Sequence, residues 1–262
     1  MTSIHGLCYR WQEGFQIAEG PVDHSADAVE SWRVHQGQMR GRKEHLQRWM
    51  QSCKQLLRTD DLILANQVFK AALAMIPEQG DWFPRLDMHR APQPQFTLQL
   101  RPCPTLKTAI RLDPRQWPDP RQHPERKGPD LDRLRLLRQQ CQQAGYDEGF
   151  LMPDSTVISE GIYCSFIWWR KGNCYRTDPS IATLPGVTLK LLEHIGTHLG
   201  KAPLPGILRP DRLYEGPLWA CNALHGLMEV ISIGDQPLAR NSTDLILWRQ
   251  ALHATKQPLT EP

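Results

Sequence analysis

The chain has 262 residues, enough for one large domain or for two small domains that share a cleft. Hydrophobic residues make up 40% and charged residues 23%, a balance that allows a sizeable core. The net charge of +3 is small and the arginines are dispersed, which argues against a nucleic-acid-binding protein. No stretch has the ~20 apolar residues of a membrane span or the form of a signal peptide, so we expect no membrane association.

The cysteines and histidines indicate neither disulfides nor a metal centre. The seven cysteines are odd in number and form no CxxC pair, which is typical of reduced thiols in a cytoplasmic protein. The ten histidines form no HExxH motif or similar cluster, so we predict no metal site.

The first half mixes strands with two helices. The first helix is the clearest element, because Leu46, Trp49, Met50 and Cys53 repeat at helical spacing. The predicted strands are 6–11, 28–35, 95–101 and 107–112, and the predicted helices are 43–57 and a segment from Asp60 or Asp61 to about residue 76.

A proline-rich stretch separates this half from the second. Residues 114–129 contain five prolines among many charges, which predicts a connector and a domain division near residue 115. The second half again mixes both element types. Its predicted helices are 130–143, 189–199 and 243–254, and its predicted strands are 149–152, 156–159, 163–169, 219–221 and 227–233.

Four sites carry possible chemistry, and each also has an ordinary structural interpretation. Lys127 and Glu160, taken alone, are typical of solvated surface side chains. The turn before Val187 and Thr188 enters a helix, so their N–H groups either bind an anion or simply begin the helix. The Asn222–Ala223 pair either ends a strand or forms a second backbone cradle.

The order and spacing of these sites resemble those of class IV (fold type IV) aminotransferases, which depend on pyridoxal 5′-phosphate. The similarity covers about residues 10–235 and is greatest to the aminodeoxychorismate lyase branch. The segments that carry it are ADAVESWRVHQGQMRGRKEHLQRWMQSCKQL, KGPDLDRLRLLRQQCQQAGYDEGFLM, GIYCSFIWWRKGN, LPGVTLKLLEHIG and CNALHGLMEV. Five motifs in one order make chance agreement improbable.

The resemblance implies a role for each matched residue. Lys127 would hold the cofactor as a Schiff base and then move protons on the substrate, which requires a lowered pKa. Glu160 would bind the pyridine nitrogen, and Arg48 the phosphate. The remaining cofactor contacts would come from Ser165, Val187, Thr188, Asn222 and Ala223.

Three departures from the family pattern, at four positions, bear on the substrate. Leu189 replaces the usual arginine after the glycine turn, Ser165 replaces an asparagine, and Asp27 with Val29 replaces a glycine and a phenylalanine. These changes concern the substrate more than the cofactor, because Lys127, Glu160 and Arg48 are all present. A protein that binds the cofactor or a partner without catalysis is therefore a further alternative.

The reaction type depends mainly on Ser31. Lyases of this family usually have a threonine here, so a hydroxyl favours cleavage of 4-amino-4-deoxychorismate to 4-aminobenzoate and pyruvate, a step in folate biosynthesis. A solvent-facing strand serine is the ordinary alternative. Arg101 is a candidate for binding a substrate carboxylate or a surface residue. An aminotransferase acting on a branched-chain or D-amino acid is the alternative reaction.

The resemblance also implies an architecture. We expect an α/β protein with α+β character, similar to D-amino-acid aminotransferase, with a small N-terminal domain (residues 1–115) and a larger cofactor-binding domain (residues 116–262). The cofactor would lie at the division between them, and the active protein would be a homodimer that binds a small-molecule amine derived from chorismate.

Overall fold

A computed structural model describes residues 7–18, 25–90 and 92–260. The helices are α1 (Arg42–Lys54), α2 (Thr59–Ala74), α3 (Leu131–Gln143), α4 (Val187–His198) and α5 (Ser242–Ala254). The strands are β1 (Leu7–Trp11), β2 (Phe15–Ile17), β3 (Ala28–Ser31), β4 (Val34–His35), β5 (Gln38–Arg40), β6 (Asp81–Trp82), β7 (Arg85–His89), β8 (Gln95–Leu100), β9 (Ala109–Pro118), β10 (Glu148–Met152), β11 (Glu160–Gly161), β12 (Ser165–Arg170), β13 (Asn173–Thr177), β14 (Leu204–Gly206), β15 (Leu218–Asn222), β16 (Gly226–Ile233), β17 (Gln236–Pro237) and β18 (Lys256–Pro258). The predicted mixed α/β class is confirmed.

The chain forms two compact units that are not simple halves of the sequence. The first contains residues 1–105, 126–129 and 255–262, and the second contains residues 106–125 and 130–254. The sequence had suggested a division near residue 115, but that position lies inside β9. Strand β9 pairs in parallel with β10 and with β16, and each pairing contains one register shift, as at a β-bulge.

The first unit is built on two small sheets and two helices. Strands β2-β1-β8-β7-β3 form a five-stranded antiparallel sheet, and β18-β5-β4-β6 form a second sheet. Helices α1 and α2 contribute Trp49 and Phe69 to a core that also contains Trp32 and Phe96 from the sheet side. Each of these aromatic side chains is essentially buried, and full burial of one contributes roughly 1.5–3 kcal/mol.

The second unit contains a nine-stranded mixed sheet, ordered β11-β10-β9-β16-β15-β12-β13-β14, with β17 paired to β16. Helices α4 and α5 contribute to the core that contains Trp169, Trp219 and Trp248. The three indole rings meet edge to face, with centroids 5.3 to 6.2 Å apart, a geometry that aromatic quadrupoles favour.

Several element boundaries differ from the sequence-based predictions. The predicted connector at 114–129 begins as strand, because β9 continues to Pro118. The predicted strand at 156–159 is wrong, since the chain there is a turn with an isolated bridge between Asp154 and Val157. The predicted strand at 28–35 divides into β3 and β4, and β7 was missed. Residue 6 of the first predicted strand lies outside the described residues.

Candidate active site

The short segment that carries Lys127 is held against the beginning of β3. The carbonyl oxygen of Lys127 accepts a hydrogen bond from the N–H of Val29 at 2.7 Å. The backbone at Gly128 lies even closer to the chain before β3. A Cβ atom at Gly128 would lie 2.6 Å from the carbonyl oxygen of Asp27. Only glycine leaves room for this contact. The backbone therefore fixes the Lys127 main chain beside the strand that carries Ser31.

The Lys127 amine is buried, and its pKa is lowered. Among the described residues, none forms a hydrogen bond with its Nζ atom. The pKa of Lys127 is lowered to about 7, chiefly by burial. The guanidinium groups of Arg48, Arg85 and Arg101 also lower it, and nearby Glu30 opposes the shift. A large fraction of the amine is consequently neutral at physiological pH, which nucleophilic attack on a carbonyl requires.

Arg48 takes part in a buried ion pair next to this lysine. Its Nε and Nη2 atoms donate to the two carboxylate oxygens of Glu30, at 2.9 and 2.5 Å, and Nδ1 of His45 lies 2.7 Å from Glu30 Oε1. Burial alone would raise the pKa of Glu30, but Arg48 and His45 hold it well below its usual range. Glu30 thereby fixes the orientation of Arg48, whose contact with a phosphate stays a prediction.

Two arginines and Ser31 mark one face of the five-stranded sheet. Ser31 is directly opposite Arg85 in the register of β3 and β7, so their side chains project from the same face. Arg85 donates from Nε to Asp87 at 2.6 Å, while Arg101 donates from Nε to the carbonyl oxygen of Phe83 at 3.1 Å. Arg101 therefore lies in the electrostatic surroundings of Lys127 together with Arg85, as their shared effect on its pKa shows.

The sequence analysis missed Arg85 because β7 itself was not predicted. The signal was present, since Arg85, Asp87 and His89 alternate with the buried Leu86 and Met88. The same face continues onto β8 as polar side chains with little solvent contact. Three buried atoms on this face have no hydrogen-bond partner among the described residues, one on β7 and two on β8: Asp87 Oδ2, Thr97 Oγ1 and Gln99 Nε2. A polar face of this kind suits a polar ligand.

Glu160 lies in the second unit and is held by one of its two oxygens. Its Oε1 atom accepts hydrogen bonds from Nη1 of Arg121 at 2.6 Å and from the N–H of Leu184 at 3.0 Å. No described residue donates to Oε2. Burial raises the pKa of Glu160 and the charge of Arg121 lowers it, so Arg121 favours the ionised form.

Arg121 is itself fixed by a short local motif. In the sequence Asp119–Pro120–Arg121, the guanidinium donates to both Asp119 oxygens, from Nε at 2.9 Å and from Nη2 at 2.6 Å. The salt bridges of Arg121 with Asp119 and Glu160 are buried, and together they raise the pKa of the guanidinium above its ordinary value. Arg121 was not predicted as a site residue, because the composition of the proline-rich stretch around it predicted a connector.

The same motif occurs six residues earlier with different surroundings. Arg115 donates from Nε to both oxygens of Asp113, each at 2.9 Å, and its guanidinium lies 4.6 Å from the ring centroid of Trp117. Its side chain is about half exposed and contacts the carbonyl oxygen of Gln140. Of the two arginines in these motifs, only Arg121 contacts Glu160.

The other predicted cofactor contacts cluster at the beginning of α4. Helix α4 begins at Val187 and Thr188, two residues earlier than predicted, after Gly186, which provides no side-chain cap. The first-turn N–H groups therefore have neither an intrahelical acceptor nor a capping side chain. A Cβ at Gly186 would lie 2.9 Å from Ser165 Oγ, which shows how near the Ser165 hydroxyl lies to this turn.

Asn222 and Ala223 follow β15, where Cys221 is opposite Ser165. The Asn222 side chain donates to the carbonyl oxygen of Tyr163 at 3.2 Å and accepts from the N–H of His225 at 2.8 Å. These bonds fix the turn after the strand.

The predicted residues thus form two groups, one within each unit. The first contains Lys127, Ser31, Arg48 and Arg101, and the second contains Glu160, Ser165, Val187, Thr188, Asn222 and Ala223. Each group has features that fit one part of pyridoxal phosphate. The first has a lysine amine of lowered pKa, which suits the aldehyde, and the second has an open carboxylate oxygen and an uncapped helix N-terminus, which suit the ring nitrogen and the phosphate. No group of three or more metal-ligating side chains occurs in the described part of the chain.

Solved structures share this fold over nearly the whole chain. The branched-chain amino acid aminotransferase of Escherichia coli matches with a TM-score of 0.80 at 14% identity, covering 95% of this chain and 94% of that one. The enzyme of Thermoproteus uzoniensis, solved with norvaline, has a TM-score of 0.80 at 16% identity, with 97% and 100% covered. The T.th. branched-chain enzyme, solved with pyridoxamine 5′-phosphate, has a TM-score of 0.79 at 16% identity, with 98% and 99% covered.

These likenesses establish the fold, which is that of fold type IV aminotransferases. The model of the amino-transferase class IV family matches residues 27–233, so this chain belongs to the class IV aminotransferase family. The predicted family of pyridoxal-phosphate enzymes is confirmed. No curated protein matches the chain at a significant level. In the described residues, no helix has the length and apolar character needed to cross a membrane.

Proposed function

We propose that this chain is a pyridoxal-phosphate-dependent lyase that cleaves 4-amino-4-deoxychorismate to 4-aminobenzoate and pyruvate. The observation that carries the proposal is the combination of a Lys127 amine of lowered pKa with the guanidinium groups of Arg85 and Arg101 in its surroundings, in the unit where Ser31 is opposite Arg85. That substrate carries two carboxylates. Arg85 and Arg101 supply two separate cations for them.

The cofactor contacts we propose follow the chemistry of each group. Lys127 would bind the aldehyde carbon, and Glu160 Oε2 would accept the ring N–H. The N–H groups of Val187 and Thr188 and the hydroxyl of Ser165 would donate to the phosphate, with Asn222 and Ala223 at the adjoining turn. When bound, the cofactor supplies an electron-accepting ring that stabilises negative charge on the amine-bearing carbon of the substrate.

The neutral amine of Lys127 would accept the proton from the amine-bearing carbon. The electron pair left at that carbon would form the new ring double bond as the neighbouring carbon–oxygen bond breaks. The ether oxygen leaves with the electron pair of that bond as enolpyruvate, which takes up a proton to become pyruvate, and the ring becomes aromatic. Ser31 Oγ would deliver a proton towards the leaving oxygen. Arg85 and Arg101 would orient the substrate through its carboxylates.

The direct test incubates the protein with pyridoxal phosphate and 4-amino-4-deoxychorismate. Release of 4-aminobenzoate and pyruvate in equal amounts supports the lyase. If neither product forms and a branched-chain or D-amino acid instead gives its keto acid with pyridoxamine phosphate, the chain is an aminotransferase. If the protein develops the visible absorbance of a lysine-bound cofactor but converts neither substrate, a non-catalytic binding protein is supported.

The family resemblance also leads us to propose a homodimer. Sedimentation of the cofactor-loaded protein at several concentrations measures its molecular mass. A single species with the mass of one chain would contradict this part of the proposal.

A further inference from the structure

His45 lies in the first turn of α1, buried next to Glu30 and within the electrostatic field of Lys127. Its exposed fraction is 2%, and its Nδ1 atom lies 2.7 Å from Glu30 Oε1. Burial lowers the pKa of His45, although Glu30 opposes the shift. The charges of Arg48 and Lys127 act in the same direction as burial. The imidazole is therefore largely uncharged at neutral pH.

The charge of Glu30 fixes which nitrogen of His45 carries the proton. Although burial opposes ionisation, Arg48 and His45 hold the pKa of Glu30 well below its usual range. The ionised carboxylate can only accept hydrogen bonds. An uncharged imidazole has a single N–H group, so the short contact with Glu30 requires that group to be at Nδ1. His45 therefore donates to Glu30.

The Oε1 atom of Glu30 accepts hydrogen bonds from three N–H groups. The donors are His45 Nδ1 at 2.7 Å, Arg48 Nη2 at 2.5 Å and the backbone N–H of Ser31 at 3.2 Å. Because a carboxylate oxygen has two lone pairs, these donors leave no position at Oε1 for a fourth. Arg48 also donates from Nε to Oε2 at 2.9 Å, so its guanidinium lies along both oxygens. The nearby Cys53 thiol adds no charge, since burial raises its pKa to about 12.

Glu30 is close enough to Lys127 for its charge to act on the amine, yet the two side chains form no hydrogen bond. Burial, the main influence, lowers the pKa of Lys127, whereas Glu30 raises it. Three guanidinium groups act in the same direction as burial, those of Arg48, Arg85 and Arg101. A carboxylate paired directly with an ammonium stabilises the charged form. A direct pair between Glu30 and Lys127 would therefore keep the amine protonated, and a protonated amine cannot attack a carbonyl.

We propose that His45 is a positioning residue that holds the Glu30 carboxylate on Arg48 and so prevents it from pairing with the Lys127 amine. The inference rests on the proposed role of Lys127 as the residue that binds the cofactor aldehyde. Without the His45 donor, Arg48 and the N–H of Ser31 alone hold the carboxylate. One acceptor position at Oε1 then becomes available to a protonated Lys127.

The test measures protonation of the Lys127 amine in cofactor-free protein that contains isotope-labelled lysine. The nuclear magnetic resonance signal of Lys127 Cε, assigned by its loss in Lys127→Met, is followed against pH. His45→Leu should raise the titration midpoint by about one unit or more, because the ammonium gains a carboxylate partner. His45→Asn should keep the midpoint of the unchanged protein, since the amide nitrogen of asparagine lies close to the position of Nδ1 and donates to the same oxygen.

His35→Leu is the matched control. The Nδ1 atom of His35 lies 2.6 Å from Asp81 Oδ1, but both side chains are partly exposed, and neither is among the groups that act on the pKa of Lys127. Its midpoint should equal that of the unchanged protein. The second readout is reductive trapping of pyridoxal phosphate at Lys127. At pH 7 its rate should fall roughly fivefold or more in His45→Leu for a one-unit shift, and it should recover at higher pH, which a loss through misfolding would not do.

An unchanged resonance midpoint in His45→Leu overturns the inference, and so does an equal upward shift in His45→Asn, because the donor would then not be what matters. If His45→Leu fails to fold, His45→Ala is measured against the same expectation, since it also lacks the donor and adds no bulk. Trapping of the cofactor at a lysine other than Lys127 would contradict the proposed function. The resonance midpoint needs no cofactor, so the failure of the proposed function and the failure of this inference are distinguishable.

Discussion

A lysine in water carries a proton at neutral pH, and the surroundings of Lys127 remove that preference. Burial makes the charged form costly, and three nearby guanidinium groups add to the cost. Two arginines beside predicted site residues are fixed by partners of their own. In the first unit Glu30 orients Arg48, and in the second unit Asp119 orients Arg121, which pairs with Glu160.

The first prediction concerns the pH at which Lys127 reacts. Covalent attachment of pyridoxal phosphate, trapped by reduction and counted by mass spectrometry, should rise with a midpoint near pH 7, because the pKa of Lys127 is about 7. Attachment at Lys127 should vanish in Lys127→Met. A midpoint near the ordinary value of 10.5 would show that the amine is not perturbed.

The same substitution should change stability in a defined pH window. The folded pKa of about 7 is below the unfolded value of 10.5, so the unfolded chain binds more protons between these values. Lys127 therefore makes the protein less stable as pH falls from 10.5 to 7. Lys127→Met should be more stable than the unchanged cofactor-free protein at pH 6, with a difference that shrinks towards pH 10, as chemical denaturation can measure.

The third prediction uses the two Asp-Pro-Arg motifs as a matched pair. Arg121→Gln should lower the affinity for pyridoxal phosphate by about tenfold or more, because Glu160 loses the cation that favours its ionised form. Arg115→Gln removes the same residue type from the same motif, but from a site about half exposed to solvent. Its cofactor affinity should be unchanged.

Fluorescence titration with the cofactor gives both dissociation constants. The pH profile of binding provides a second measure, since Arg121→Gln should move the loss of affinity at low pH to a higher pH while Arg115→Gln leaves it in place. Equal affinities in the two variants would show that Arg121 has a structural role only.

At the residue scale, sequence patterns identified the groups proposed to contact the cofactor but not the residues that position them. Lys127, Glu160 and Val187 lie in motifs with recognisable spacing. Arg121 and Arg85 do not, because each depends on a partner brought close by folding: Glu160 for Arg121, and the strand register with Ser31 for Arg85. Contacts of this kind, between residues far apart in the chain, cannot be read directly from a single sequence.

Among the elements, the segment Arg126–Pro129 has the greatest effect on the site. It belongs to the first unit although the chain on both sides belongs to the second. Gly128 makes this possible, since any side chain would collide with the carbonyl oxygens of Ala26 and Asp27. The composition of this stretch predicted only a connector. Prolines and charged residues are typical of exposed linkers, and they give no indication that the backbone here is tightly packed.

Gly128→Ala should therefore displace Lys127 from its position. The added methyl group would meet backbone atoms that cannot move aside, at a cost of roughly 1–3 kcal/mol. We expect slower covalent trapping of the cofactor and a higher pKa for Lys127, measured from the pH profile of that trapping. Gly145→Ala is the control, since a Cβ at Gly145 meets no atom within 4 Å, although its positive φ adds some strain. Identical trapping in both variants would contradict the role of Gly128.

Element boundaries were predictable where one periodicity dominates. Helix α3 and strand β8 occur within one residue of their predicted limits, since alternation or helical spacing is unbroken there. The predicted boundaries were wrong where hydrogen bonding to a neighbouring strand outweighs the local amino-acid composition. Strand β9 contains Pro114 and continues to Pro118 because β10 pairs with it as far as Pro118. Strand β7 was missed although its polar and apolar residues alternate.

For the whole molecule, Glu148 should govern part of the acid–base dependence of stability. Burial raises its pKa to about 7, against an ordinary value of 4.5, while Arg138 and N–H donors including those of Gly149 and Tyr163 lower it less. The folded protein therefore binds more protons than the unfolded chain between pH 4.5 and 7, and stability decreases as pH rises through that range.

Glu148→Gln should flatten this part of the stability profile, as measured by denaturant unfolding at about pH 5, 6 and 7. Asp154→Asn is the control, because Asp154 is an exposed carboxylate whose pKa is lowered instead. A profile that keeps its slope across that range in Glu148→Gln would assign the dependence to other groups.

Strand β18 has a consequence for the order of events during synthesis. It completes the smaller sheet of the first unit by pairing with β5, yet it follows the whole second unit in the chain. A ribosome produces residues 1–105 first, but Lys127 and Lys256 arrive much later. The first unit therefore cannot finish folding until the second unit has been synthesised, in contrast to the usual order in which domains fold one after another as they are made. Until then, the free edge of β5 is available to other strands, so a chaperone would be most needed late in translation.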